Sequence, residues 1–315
     1  MLAAFAAFFA FLSPSGAVRA LADDRSFSDY YVYSDGQSPQ SAQPDDQQAA
    51  DAGGGGVYKY NDGPNKDDSR DDMLLDQAIA AKMNTDANGN PISLMVTGGS
   101  PERKEVALTF DDGPHPEYTS KILAILQHYR IRATFFMVGF QANKYPQWVR
   151  QVFQMGNEIG NHTYDHFRLT KLPPDEVSYQ IKQTQEVIYQ ITGRYPRFIR
   201  PPGGRFDSSV LQEFAADKLA VGLWTYNTKD IDVKDPDAVY QGVMSNLHNG
   251  AIFLMHDGAD STAAALPRII EGIESQGYKM VTLGEMVEHL QAGKAAEVPQ
   301  SANYSYDEWK VRGQS

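Results

Sequence analysis

Seven short apolar runs, each followed by a helix-like stretch, constrain the fold of this chain more than any other feature of its sequence. The runs fall at 106–110, 133–138, 158–161, 198–200, 220–226, 251–255 and 279–282. The stretches after them, at 119–129, 146–155, 174–191, 208–216, 236–247, 262–276 and 283–291, space their apolar residues as helices do, and several open on Pro, Asp or Ser. A strand that returns through a helix to the same sheet runs parallel to its neighbour. The alternation therefore predicts a parallel α/β fold, either an incomplete barrel or an open sheet.

Ahead of this region the composition changes. Residues 1–12 are almost wholly Ala, Phe and Leu, and Ala20-Leu21-Ala22 before Asp23 fits a small-x-small cleavage site. Residues 1–22 are therefore expected to be a signal peptide or a membrane anchor, which would place the protein outside the membrane, secreted or at the cell envelope. Residues 23–100 hold 14 Asp, no Glu and five Lys or Arg, a local net of −9, with Gly53-Gly54-Gly55-Gly56 among them. Such a segment buries too little apolar surface to offset its ordering entropy, and a disordered linker is expected there. Residues 84–90 begin like a calcium loop, but the twelfth position is Met95 rather than a bidentate Glu, so a polar turn is expected instead. The folded domain is expected at 101–294 and a polar tail at 295–315.

Of the formal net charge of −12, about −4 remains for residues 101–315, without a basic stripe, which argues against a nucleic-acid partner. The chain has no cysteine, so any metal must be held by His, Asp or Glu.

Chemistry-bearing residues gather where the apolar runs end. The first run ends in Asp111-Asp112-Gly113-Pro114, the third leads into His162-Thr163-Tyr164-Asp165-His166, and the fourth ends in Arg200-Pro201-Pro202-Gly203-Gly204. The fifth leads into Asn227-Thr228-Lys229-Asp230, and the sixth into His256-Asp257-Gly258. In α/β barrels the C-terminal strand ends are where active sites assemble. His162 and His166 are four apart, so a helical turn would set both imidazoles on one side. Two imidazoles and a carboxylate make a frequent catalytic zinc set. Asp111 or Asp112 is the natural third ligand, and its neighbour is then a candidate general base. Acyl chemistry also needs donors for an oxyanion and an acid for the leaving group. Gly203 and Gly204 offer unobstructed N–H groups for the first, and His256 titrates in the right range for the second. Asp230 can keep His256 protonated, and Arg200 can keep a catalytic Asp ionised.

This ordered set resembles the motifs of the polysaccharide deacetylases of carbohydrate esterase family 4, over about residues 102–292. Thr109 to Pro114 is similar to T-F-D-D-G-P, His162 to His166 to H-[ST]-x-x-H, and Arg200 to Gly203 to R-x-P-x; Asp230 lies in the D-x-x-D-W region, and Leu254-Met255-His256 is similar to L-x-H. The resemblance implies a distorted (β/α)₇ barrel of TIM-like type. It implies Asp111 as general base, His256 as general acid, and Arg200 and Asp230 as their orienting partners. Asp112, His162 and His166 would bind a divalent ion, zinc first and cobalt as a substitute. The expected function is an exported, monomeric deacetylase of an extracellular or cell-wall glycan, foremost peptidoglycan, with residues 1–22 as an optional membrane tether.

Two departures bear on substrate choice: Gly203 stands where the family often has Tyr, and Asn227 and Ile231 replace the first Asp and the Trp of the fourth motif. The alternatives are an O-acetyl esterase of the xylan type and an inactive glycan-binding module of the same fold. No G-x-S-x-G motif occurs, which disfavours a serine esterase.

Overall fold

The computed structural model describes residues 84–85 and 91–292. The expected leader, the linker as far as residue 83 and the tail at 295–315 lie outside the described residues. Asn84–Thr85 pairs antiparallel with Pro91–Ile92. Among the described residues no helix is long and apolar enough to cross a membrane.

Nine strands form one parallel sheet: β1 (Met95–Val96), β2 (Glu105–Gly113), β3 (Thr134–Met137), β4 (Glu158–Asn161), β5 (Phe198–Ile199), β6 (Ala220–Gly222), β7 (Tyr226–Asn227), β8 (Ala251–His256) and β9 (Lys279–Met280). Their spatial order is β1-β6-β5-β4-β3-β2-β8-β7, with β9 paired to the start of β2. The helices are α1 (Tyr118–Tyr129), α2 (Gly139–Lys144), α3 (Pro146–Gln154), α4 (Pro174–Thr192), α5 (Ser208–Ala216), α6 (Pro236–Ser245), α7 (Asp260–Ser275) and α8 (Leu283–Ala292). All seven apolar runs form strands, and the curled sheet is the distorted barrel that the motifs imply.

Three features differ from the expectation. Met95–Val96, in the stretch read as linker, pairs with β6, and Leu94 and Val96 are buried in the core, so the sheet begins ahead of residue 101. Gly139–Lys144 forms a short helix that its six residues alone do not announce. Its start is tied to the loop after β4 by hydrogen bonds from Gly139 N to Thr163 O (2.9 Å) and from Phe140 N to Tyr164 O (2.9 Å).

The third difference concerns the run at 220–226, which is two strands rather than one. Leu223 N donates to Val96 O of β1, whereas Thr225 N donates to Ile252 O of β8. The chain changes partners within three residues, and this crossing joins the two sides of the curled sheet without a full ladder. The carbonyls of Gly222 and Leu223 at the break are taken by Arg200, through Nε (2.7 Å) and Nη2 (2.9 Å). Unpaired buried carbonyls would be costly, so the guanidinium completes the barrel wall as well as facing the site.

Strand periodicity then sets the site. On β2, Val106, Leu108 and Phe110 pack in the same cluster as the α1 residues Ile122, Leu123 and Leu126, while Ala107 belongs to the interior cluster with Phe136 and Ile252. Thr109 and Asp111 follow Ala107 at period two, so they face the interior. On β8, Ile252, Leu254 and His256 do the same. The ring of Phe136 fills the middle of the barrel: a Cβ on Gly160 or Gly222 would lie 2.5 or 2.7 Å from it, which explains glycine at both places.

Candidate active site

In the parallel register of β2 and β8, Asp111 is opposite His256, so strand pairing alone sets these two groups side by side at the barrel mouth. Arg200 arrives from the end of β5 and is fully buried. Its Nη1 donates to Asp111 Oδ1 at 2.6 Å and to Thr109 Oγ1 at 2.8 Å, and its guanidinium lies 4.1 Å from the centre of the Phe136 ring. Four bonds to one planar group leave it little freedom, so Asp111 is aimed by a rigid partner.

Asp112, next in the chain, joins His162 and His166. Asp112 Oδ1 is 3.3 Å from His162 Nε2 and 3.1 Å from His166 Nε2, and the two nitrogens are 3.2 Å apart. Their donor atoms form the one group among the described residues with the make-up of a three-ligand metal site. A tetrahedral ion with ligands at about 2.0–2.1 Å holds adjacent donors about 3.3 Å apart, which matches this triangle. Asp112 Oδ1 is also buried without a hydrogen-bond donor among the described residues. His162 Nδ1 is 2.7 Å from Arg200 O; a carbonyl only accepts, so Nδ1 carries the proton and Nε2 presents its lone pair to the triangle. The donor set therefore fits a divalent ion of the kind bound by imidazole and carboxylate.

The two histidines do not meet on a helical turn, as their spacing suggested. They sit on a loop after β4 in which Thr163 (φ 65) and His166 (φ 60) are left-handed, and Asp112 (φ 73) is left-handed too. Two of the three donors thus hold a backbone conformation that costs an ordinary residue about 1–3 kcal/mol, strain of a sort that gathers at functional sites. Burial alone would raise the Asp112 carboxyl, but the imidazoles of His166 and His162 hold it well below the usual carboxylate range. Burial likewise opposes the charge on His166, and Asp112 more than offsets it, raising that imidazole.

His256 is held by Asp230 twice: its ring Nδ1 is 2.7 Å from Asp230 Oδ1, and its backbone N–H donates to Oδ2 at 2.7 Å. The Thr262 hydroxyl also donates to Oδ2. Burial works against the imidazolium, yet Asp230, Asp112 and Asp111 outweigh it and push His256 up to about 9. Asp230 in turn lies below the usual carboxylate range, because His256 and Thr262 overcome the effect of burial.

Gly203 and Gly204 lie in a tight turn after Arg200, both with positive φ (64° and 67°). Gly204 N–H is used within the turn, donating to Pro201 O at 2.8 Å, so of the pair expected to serve an oxyanion only Gly203 N–H is left without an acceptor among the described residues. A Cβ at Gly203 would meet nothing within 4 Å, so this side of the mouth is open. At the altered fourth motif, Asn227 Oδ1 accepts the Lys229 N–H at 2.8 Å, the local turn that an aspartate there would also make. One group that sequence reasoning left out is Asp257, buried next to His256 and pushed up by burial to about 7.

A curled parallel α/β barrel with a candidate Asp-His-His metal site, an arginine-held carboxylate and a carboxylate-held histidine at its mouth defines a class of barrel hydrolase. Within it, this chain belongs to the polysaccharide deacetylase family. The family model described as Polysaccharide deacetylase matches residues 98–221. Peptidoglycan-N-acetylglucosamine deacetylase PgdA of Listeria monocytogenes is 37% identical over 192 residues, which are 61% of this chain and 41% of that protein. A peptidoglycan-N-acetylglucosamine deacetylase of Bacillus cereus is 36% identical over 192 residues, covering 60% of this chain and 70% of that one. The chain thus spans less than half the length of the Listeria relative. Among solved structures, the Bc1960 peptidoglycan N-acetylglucosamine deacetylase superposes with a TM-score of 0.60 at 34% identity, covering 64% of this chain and 95% of that chain. BA3943 of Bacillus anthracis, a pseudoenzyme of carbohydrate esterase family 4, gives 0.59 at 32%, covering 61% and 68%.

Proposed function

We propose that this chain hydrolyses N-acetyl groups on the amino sugars of peptidoglycan, N-acetylglucosamine or N-acetylmuramic acid, and releases acetate. The observation that carries this reading is the pairing of Asp111 with Arg200 and of His256 with Asp230, in adjacent register beside the Asp112–His162–His166 triangle. Asp112, His162 and His166 would hold the ion, zinc by preference, which when bound supplies Lewis-acid polarisation of the acetyl carbonyl. Asp111, kept ionised and aimed by Arg200, takes the proton of the attacking water. Gly203 N–H donates to the oxyanion of the tetrahedral adduct. His256, kept protonated by Asp230, gives its proton to the departing amine nitrogen, and acetate leaves as that C–N bond breaks. A leader at residues 1–22 would bring the domain to a substrate that lies outside the membrane.

The named relatives support the substrate class, while fold alone would not, since a pseudoenzyme shares it. The test uses the whole chain, stripped of metal and reloaded with zinc, on peptidoglycan, chitin oligomers and acetylxylan in parallel. Zinc-dependent acetate from peptidoglycan, matched by new free amines, is expected. Acetate from acetylxylan alone would replace the amide reading with the ester one, and no acetate from a zinc-loaded, folded protein would replace it with a binding module.

A further inference from the structure

Asp257 follows the proposed general acid, is fully buried, and takes no part in the steps above. Its backbone N–H donates to Asp111 O at 2.8 Å. Its carboxylate Oδ2 accepts the hydroxyl of Thr119, itself fully buried at the start of α1, at 2.5 Å. The same Thr119 hydroxyl accepts the His115 N–H at 2.8 Å, and Thr119 N–H donates back to His115 O at 2.9 Å. One residue thus grips the turn 111–115 from both ends, directly at Asp111 and through Thr119 at His115. In the middle, Gly113 lies so close that a Cβ there would come 2.4 Å from Asp257 Oδ2. Within this gripped turn sits Asp112, the ligand with left-handed backbone. A conformation of that kind persists only where its surroundings over-determine it.

We propose that Asp257 is a positioning residue that locks the turn 111–115 onto the end of β8, fixing the ligand Asp112 and the base Asp111 relative to the acid His256. The proposal rests on the deacetylase reading for its kinetic consequence, but its effect on metal binding does not depend on that reading. Supporting groups around a metal site are worth about tenfold to a hundredfold in affinity or activity.

The test compares the parent with Asp257→Ala, Asp257→Asn and Thr119→Val, reading zinc affinity by competition with a chromophoric chelator, kcat and KM for acetate release, and the melting midpoint. Asp257→Ala and Thr119→Val are expected to weaken zinc binding and lower kcat by about tenfold or more, with KM little changed. Asp257→Asn keeps an oxygen for Thr119 and is expected to recover most of both. A second comparison keeps the idea falsifiable if Asp257→Ala folds poorly. Gly113→Ala leaves Asp257 in place and should itself weaken zinc binding, because its methyl would crowd Oδ2; parental zinc affinity in that variant would also overturn the proposal. Parental zinc affinity in both Asp257→Ala and Thr119→Val would overturn the proposal, as would equal losses in Asp257→Asn and Asp257→Ala. If the parent itself releases no acetate, the deacetylase reading falls and the zinc arm alone decides this one.

Discussion

The two ends of strand β2 carry nearly the same chemistry to different effect. At the start of the strand, Glu105 is held by Arg103 at 2.6 Å and by His289 at 2.9 Å. At its far end, Asp111 is held by Arg200 at 2.6 Å and stands opposite His256 in the neighbouring strand. The start is wet: the side chains of Arg103 and His289 are 43% and 36% exposed, and the arginine is only two residues away in the chain. The mouth is dry: Arg200 is 0% exposed and comes from 89 residues along. A charge pair becomes a chemical device when water is removed and the partners are fixed by separate parts of the fold. Near the surface the same pair does little more than fasten α8 to the sheet.

The largest test of this contrast is removal of each arginine. Arg200→Met leaves Asp111 and the carbonyls of Gly222 and Leu223 buried without their partner, and is expected to cost about 3–5 kcal/mol in denaturant unfolding together with most of the activity. Arg103→Met should shift the unfolding midpoint slightly and leave kcat alone. Equal losses from the two would end the distinction between the ends.

A smaller effect separates the ends by pH. His256 is raised to about 9, so its contribution to stability is complete below the ordinary histidine value near 6.5 and is lost as pH rises through about 9. As the proposed acid it should also give kcat an alkaline limb near that pH. In Asp230→Asn the limb should move down toward about 6.5, followed by acetate release across pH. Glu105 runs the other way: Arg103 chiefly, with His289, lowers it against burial, so its contribution is present above the ordinary carboxylate value and lost as pH falls. An alkaline limb unmoved in Asp230→Asn would detach His256 from the acid role.

The smallest effect belongs to His289→Ala. It removes one fastening of α8 to the start of β2, and thermal melting should register a slight loss while kcat stays at the parental value. A drop in kcat would mean that the two ends of the strand communicate.

Much of the mouth was legible from sequence because strand periodicity and strand ends carry local signals: Asp111, Asp112, Arg200, Asp230 and His256 follow apolar runs that do form strands. What stayed hidden was set by tertiary partners. Met95–Val96 is a strand only because β6 pairs with it, and the break after Gly222 exists because Arg200 takes the freed carbonyls. His162 and His166 meet through left-handed residues rather than a helix, a choice the i, i+4 spacing does not encode. Gly204 was a reasonable donor by composition, but the turn it forms occupies its N–H. Asp257 carried one signal, an acid directly after the histidine that ends β8, and its meaning lies in the Thr119 hydroxyl beside it.

The most direct test measures zinc content and acetate release together in Asp111→Asn and His162→Ala, both in the whole chain. Asp111→Asn is expected to keep its zinc and lose about 10²–10⁴-fold in kcat, as removal of a general base does, whereas His162→Ala should lose zinc and activity together. A zinc-loaded Asp111→Asn protein that releases acetate at the parental rate would contradict the assignment of Asp111 as the base.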